Sequence, residues 1–393
     1  MTGPAGEPYP GIYTGPPPTR PPGPGGWVWQ PVGPPPVAWQ PAPFPYGPPP
    51  VLWQPAPFPY GPPPAAFPQV RMAPPAGTPP HDVPQPFLLA MRSRDWSWWR
   101  PVLGLLLLLV VYFVVNVVVA VLGLLGALAA GADLRTLPSA AVTDLTDPAV
   151  LLLVNVSLIL AIPCVWMVWA VAHGMRIGWS SSVLGRVRWR LFRPFALLAF
   201  ATIGGGVVVS FLVGLLGGDA VSSPVRSFGW LLAVVVFTTP LQAAAEEYLF
   251  RGYLSQSIAG WIRRPLVGAI VAAVVSAALF SAAHGPTDVP TFLDRFAFGL
   301  AASAVVWLTG GLEAAIAAHT VNNVVVFVIA GALGQGTGDE AMPGIIGLLY
   351  LLITVVGLGG YVFLVARSRA ALRPDLRTAA QDLRAPVRAA PAW

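Results

Sequence analysis

The stretch Phe228-Gly-Trp-Leu-Leu-Ala-Val-Val-Val-Phe-Thr-Thr-Pro240, continued by Leu241-Gln-Ala-Ala-Ala-Glu-Glu-Tyr-Leu-Phe-Arg-Gly252, opens as a membrane helix and then places two adjacent carboxylates and an arginine inside it. Each ionised side chain at the centre of a spanning helix costs about 2.5–3.5 kcal/mol on insertion scales, so packing alone does not explain Glu246, Glu247 and Arg251. On a helix, residues four apart share a face. Glu247 and Arg251 therefore pair along one side, while Glu246 points roughly 100° away and is left free to take a proton.

Outward from this stretch the chain keeps the same character. Hydrophobic residues make up 55% of 393 and charged residues 10%, a balance that soluble domains of this size do not reach. From Pro101 we read eight apolar segments long enough to cross about 30 Å of hydrocarbon: 101–130, 148–172, 195–216, 228 to beyond Glu247, 266–284, 296–308, 312–331 and 345–366. The fold class is an all-α membrane protein, a bundle of about eight transmembrane helices comprising residues 91–366, with core motifs at 228–323.

Residues 1–90 differ. They carry most of the 46 prolines and a direct repeat, Trp39-Gln-Pro-Ala-Pro-Phe-Pro-Tyr-Gly-Pro-Pro-Pro50 recurring from Trp53 to Pro64. Such a segment buries no core, so a disordered cytoplasmic tail of polyproline II and coil is expected, able to dock on an aromatic-lined groove of a PPII-binding partner. No charged n-region followed by an h-region opens the chain, so no cleaved signal peptide is expected. Residues 367–393 read as a second, arginine-rich cytoplasmic tail.

All 22 basic residues are arginines. They cluster before the first span (Arg92, Arg94, Arg100), after the second (Arg176, Arg186, Arg188, Arg190, Arg193), after the fourth (Arg263, Arg264) and after the eighth (Arg367, Arg369, Arg373), whereas the alternate loops carry Asp133, Asp144, Asp147, Asp219, Asp288, Asp294, Asp339 and Glu340 with only a scattered Arg135, Arg226 and Arg295. The bias puts both termini in the cytoplasm of a cell-membrane protein. The arginines thus read as topology signals, and the net charge of +6 implies no nucleic-acid partner. The lone Cys164 lies in an apolar run and excludes a disulfide framework.

Few ionisable groups remain in the spans. His284 closes Phe280-Ser-Ala-Ala-His284, and His319 opens His319-Thr-Val-Asn-Asn323, so Phe280 lies one turn below His284 and His319 one turn below Asn323. His81, in the tail, and His173, at a helix end, read as unimportant. At about 1.5 Å per residue, Glu246 lies ~26 Å back from the Arg263-Arg264-Pro265 turn and His284 ~29 Å up the next helix, so they meet at one depth if the fourth helix continues to about Trp261.

The patterns E-E-x-x-x-R (Glu246, Glu247, Arg251), F-x-x-x-H (Phe280, His284) and H-x-x-x-N (His319, Asn323), in that order on successive membrane helices, resemble the CAAX protease and bacteriocin-processing family of intramembrane glutamic endopeptidases, which includes the type II CAAX prenyl proteases. The resemblance implies that Glu246 and His284 activate a water that attacks a peptide carbonyl, that His319 and Asn323 stabilise the oxyanion, and that Glu247, Arg251 and Phe280 support them. It implies no cofactor, and a peptide or membrane-protein substrate, possibly lipidated. Two other classes fit the residue types: a zinc metalloprotease using His284, His319 and a glutamate, and a non-enzymatic transporter or scaffold with a polar relay. No H-E-x-x-H pair and no internal repeat between the two halves favours either.

Overall fold

The computed structural model describes residues 74–131, 144–218, 221–335 and 344–383. The chain divides into Met1–Met72 and Ala73–Trp393, and all described residues fall in the second unit. The tandem repeat and most of the expected tail lie outside the described residues. Among those described, the regular structure is helical, with two isolated β-bridges.

Eight helices are long and apolar enough to cross a membrane: α1 Trp99–Ala129, α2 Pro148–His173, α3 Trp189–Leu216, α4 Phe228–Trp261, α5 Pro265–Ala283, α6 Val289–Thr309, α7 Glu313–Leu333 and α8 Gly344–Leu372. The chain is an integral membrane protein. Local chemistry fixes the ends. The Asp147 carboxylate caps α2 by accepting from the Ala149 and Val150 amides at 2.8 and 3.1 Å, and Asp288 caps α6 through the Thr291 amide at 2.7 Å. This cap, with Pro290 in the first turn, starts α6 at Val289, earlier than the 296 expected from hydropathy. Gly174, Gly310 and Gly334 end α2, α6 and α7 with φ of 64°, 71° and 60°. α4 does continue to Trp261, widening into a π-helical segment at Tyr248–Leu254.

α4 is central: it packs against α2 and α7, α7 packs against α3, and α5 packs against α6, which leans on α8. At one end of the bundle the arginine-bearing segments meet. Arg188 is not a solvated topology signal; it is buried and clamps Glu313 with Nη2–Oε2 2.6 Å and Nε–Oε1 2.9 Å, and its Nη1 donates to the Thr309 and Asp375 carbonyls. Ser182 pairs with Gly311, and Arg190 reaches the Leu372 carbonyl.

The two expected tails are partly structured at their bundle-proximal ends. Phe87–Met91 is buried, the Arg92 guanidinium donates to the Gly260 carbonyl at 2.6 Å, and residues 81–86 pair with 377–381 through the Pro86–Arg377 bridge and the Thr378 and Gln381 amides. The proline-rich composition fades by Phe87, and Phe87, Leu88, Leu89 and Met91 supply an apolar face that the bundle covers. Neither remaining histidine is solvated. His81 is 1% exposed and donates to the Ala90 carbonyl at 2.7 Å, and His173 is 3% exposed, 3.1 Å from the Tyr253 hydroxyl.

Candidate active site

Glu246 and Glu247 close the α-helical part of α4, six and seven residues after Pro240 and immediately before the π segment. They face different neighbours, as the helical phase requires. Glu247 is fully buried: its Oε1 accepts from Arg251 Nη1 at 2.9 Å and from His319 Nδ1 at 2.9 Å. Arg251, also fully buried, sends Nη2 to the Gly299 carbonyl at 3.1 Å and lies 4.8 Å over the Phe280 ring. A Cβ on Gly299 would stand 2.7 Å from the Ala277 Cβ and 3.3 Å from Arg251 Nη2, so only glycine lets α6 close on both α5 and the guanidinium.

Glu246 turns toward a different set. Its Oε1 accepts a hydrogen bond from the Gln242 side-chain amide, and its Oε2 is buried with no protein hydrogen-bond partner. That Oε2 stands 3.8 Å from His284 Nε2 and 3.7 Å from His319 Nε2. The far nitrogens settle the tautomers. His284 Nδ1 lies 2.8 Å from the Phe280 carbonyl, which can only accept, and His319 Nδ1 faces the Glu247 carboxylate. Each Nδ1 therefore carries hydrogen, and in the neutral form of each ring Nε2 turns a lone pair toward Glu246. Both nitrogens stand too far from Glu246 Oε2 for a direct hydrogen bond, and a water can bridge the carboxylate to one of them.

Phe280 holds this arrangement apart. Its ring centroid is 4.6 Å from His284 and 5.8 Å from His319, with Phe250 and Phe298 behind it. α5 stops where it must: His284 is its cap, Gly285 takes φ 59° and Pro286 follows. Six of the seven expected site residues are thus in direct mutual contact. Asn323 reaches Glu246 only through Gln242: its Nδ2 donates to Gln242 Oε1 at 3.1 Å, while its Oδ1 accepts from Asn322. Gln242 went unremarked in the sequence, although it sits four residues before Glu246, on the same helical face; a second amide in an apolar span was the available signal. The His319 ring has its Nδ1–H committed to Glu247, so it donates from Nε2 only as the imidazolium.

The cluster lines a cavity of about 850 Å³, whose walls include Asn155 of α2, Ser210 of α3, Phe327 of α7 and Tyr350 of α8.

Comparison with known proteins follows the same core. Residues 228–325 match the Rce1-like family, described as type II CAAX prenyl endopeptidase Rce1-like. The match falls on the α4–α7 core, which is similar to that family. An uncharacterized protein of Bacillus subtilis (strain 168), YyaK, is 26% identical over 188 residues, covering 46% of this chain and 61% of the relative. The chain thus spans less than two thirds of the length of this curated relative. No solved structure matches.

Proposed function

We propose that this protein is an intramembrane endopeptidase of glutamic type, using a water activated by Glu246 and His284. The observation that carries the reading is Glu246 Oε2: a buried carboxylate oxygen without a protein partner, facing the Nε2 atoms of two imidazoles whose rings are anchored from behind. A water between Glu246 Oε2 and His284 Nε2 donates one hydrogen to each and leaves an oxygen lone pair free to attack. Glu246 takes one proton from the water as its oxygen bonds to the peptide carbonyl carbon. The C–N bond then breaks, and the proton passes from Glu246 to the departing amine, giving a new carboxyl and a new amino group.

Asn323 keeps one amide hydrogen beyond its bond to Gln242 and donates it to the oxyanion, a role worth ~2.7–4 kcal/mol for one donor. His319 joins it when protonated. Glu247 and Arg251 fix the His319 ring, and Gln242 fixes the Glu246 carboxylate, so that the reacting groups need little reorganisation. The substrate is a polypeptide segment within or at the membrane; the similarity of residues 228–325 to the Rce1-like family supports a protein substrate and leaves prenylation of it open. The arginine distribution supports an orientation in the cell membrane with both termini on the cytoplasmic side.

Glu246→Gln is the decisive variant, because the amide fills the same volume but takes no proton. Purified in detergent, it should fold and melt like the parent and lose peptide hydrolysis; retention of more than a small fraction of activity removes the general-base assignment. The same three atoms are of the types that zinc accepts, so stoichiometric zinc lost in His284→Ala would transfer the water to a metal and keep the peptidase.

A further inference from the structure

We infer that the site takes its substrate and its water from the membrane half opposite the arginine-rich end, the extracytoplasmic side by charge bias. The inference rests on the proposed peptidase for what enters, and on geometry for the direction. α5 ends at the depth of the site, since His284, its cap, stands 3.8 Å from Glu246. α4 runs 18 residues from Glu246 back to Phe228, about 27 Å, and α7 runs 14 residues from His319 to Leu333, about 21 Å. The α5–α6 turn at 284–288 therefore stops well short of the end its neighbours reach, and the space above it is the cavity.

That cavity leads one way. It extends from Glu246, His284 and His319 past Asn155, Ser210, Tyr350 and the Asp294–Arg295 pair of residues to Leu145, Ser222 and Gly334, which flank α2, α4 and α7 at the end away from the arginine clusters. Polar side chains recur along it, as a hydrated path requires. Toward the other end the core is filled. Arg251 and Glu247 are fully buried, as are Tyr253, Gln256 and Ser257 on α4, and Leu312, Glu313 and Ala314 at the start of α7 are within 1% of full burial. Arg188–Glu313 closes that end with a buried ion pair. A chain arriving from the arginine side would have to break that pair and expose its charges, which is strongly unfavourable. The substrate class that fits is a polypeptide whose scissile bond is presented from the outer leaflet or the outer aqueous face, not a cytoplasmic C-terminus.

Cysteine accessibility tests the direction without relying on peptidase activity. In a Cys164→Ala background, Ser210→Cys places a thiol within the cavity, Ser222→Cys at its far end, and Arg186→Cys, an exposed position, at the arginine-rich end. Right-side-out and inverted vesicles are treated with a membrane-impermeant maleimide. Ser210→Cys and Ser222→Cys should label in right-side-out vesicles, and Arg186→Cys only in inverted ones. Labelling of Ser210→Cys from the Arg186 face, or from neither face, overturns the inference, as does Arg186→Cys labelling from outside. Loss of peptide hydrolysis by the parent in detergent would instead strike the peptidase reading and leave the accessibility result standing.

Discussion

Arg251→Ala tests whether the site stands on a buried ion pair. The guanidinium is fully buried, donates to Glu247 Oε1 at 2.9 Å and to the Gly299 carbonyl at 3.1 Å, and covers the Phe280 ring at 4.8 Å. Removing it leaves the Glu247 carboxylate with His319 Nδ1 as its one remaining hydrogen-bond partner, and breaking a buried pair in this way costs about 3–5 kcal/mol. At roughly 2–4 °C of melting temperature per kcal/mol for a domain of 150–250 residues, a loss on the order of 10 °C is expected. Thermal unfolding of the purified protein in detergent reads it directly. The double change Glu247→Gln with Arg251→Met removes both charges while keeping volume, and should cost clearly less than the two single changes added together, because each single change strands a charge and the double strands none. Arg251→Ala melting with the parent, or a double variant as damaged as the sum of its singles, would refute the pairing as a source of stability.

Further expectations concern mechanism, packing and pH. Strong chelators should leave peptide hydrolysis unchanged, and elemental analysis should find well under one zinc per chain; inhibition restored by added zinc would reassign the water to a metal. Gly299→Ala forces a Cβ to 2.7 Å from the Ala277 Cβ and should destabilise by ~1–3 kcal/mol while lowering kcat, measured by unfolding and peptide kinetics; an unaffected variant would show that α6 has room to retreat. Burial holds the His81 imidazole below its ordinary titration range, with the Arg94 charge adding to the effect against the opposing Ala90 carbonyl and Asp82. Its Nδ1 is buried without an acceptor, so the folded segment favours the neutral ring while the unfolded one protonates near pH 6.5. The 81–91 segment should therefore hold above that pH and loosen as pH falls below it, seen as faster amide exchange around Leu89–Arg92 that His81→Gln removes; exchange independent of pH after correction for the intrinsic rate would refute this.

The eight spans were legible because length and hydropathy are properties of a single helix, and α4 could be extended to Trp261 because Glu246 and His284 had to meet at one depth. The three motifs were legible because i, i+4 spacing survives folding. What escaped depends on contacts between residues far apart in sequence. Arg188 looked like every other loop arginine until Glu313, 125 positions away, came to it. Phe87–Met91 carried an apolar face, but nothing local said that the Ser255–Trp261 end of α4 would cover it, or that residues 377–381 would pair with 81–86 beside it. Gln242 was visible as a polar residue on the Glu246 face, while its link to Asn323 required α4 and α7 to be neighbours. The direction of the cavity follows from where α5 stops relative to α4 and α7, a comparison no single stretch contains.

The π segment at Tyr248–Leu254 has a consequence for how α4 can vary. Its i→i+5 bonds hold one more residue per turn than an α-helix, so everything beyond it is turned by roughly 100° relative to an unbroken helix. The half of α4 before it presents Gln242 and Glu246 to the cavity, whereas the half after it faces Ser255, Gln256 and Ser257 into the core. The two halves are out of phase, and the widened turn is the joint that lets each keep its own facing. Loss of a single residue there would restore regular winding and yet rotate one half out of register, whereas a chain interrupted anywhere else in α4 would face a different penalty, that of splitting one continuous stripe.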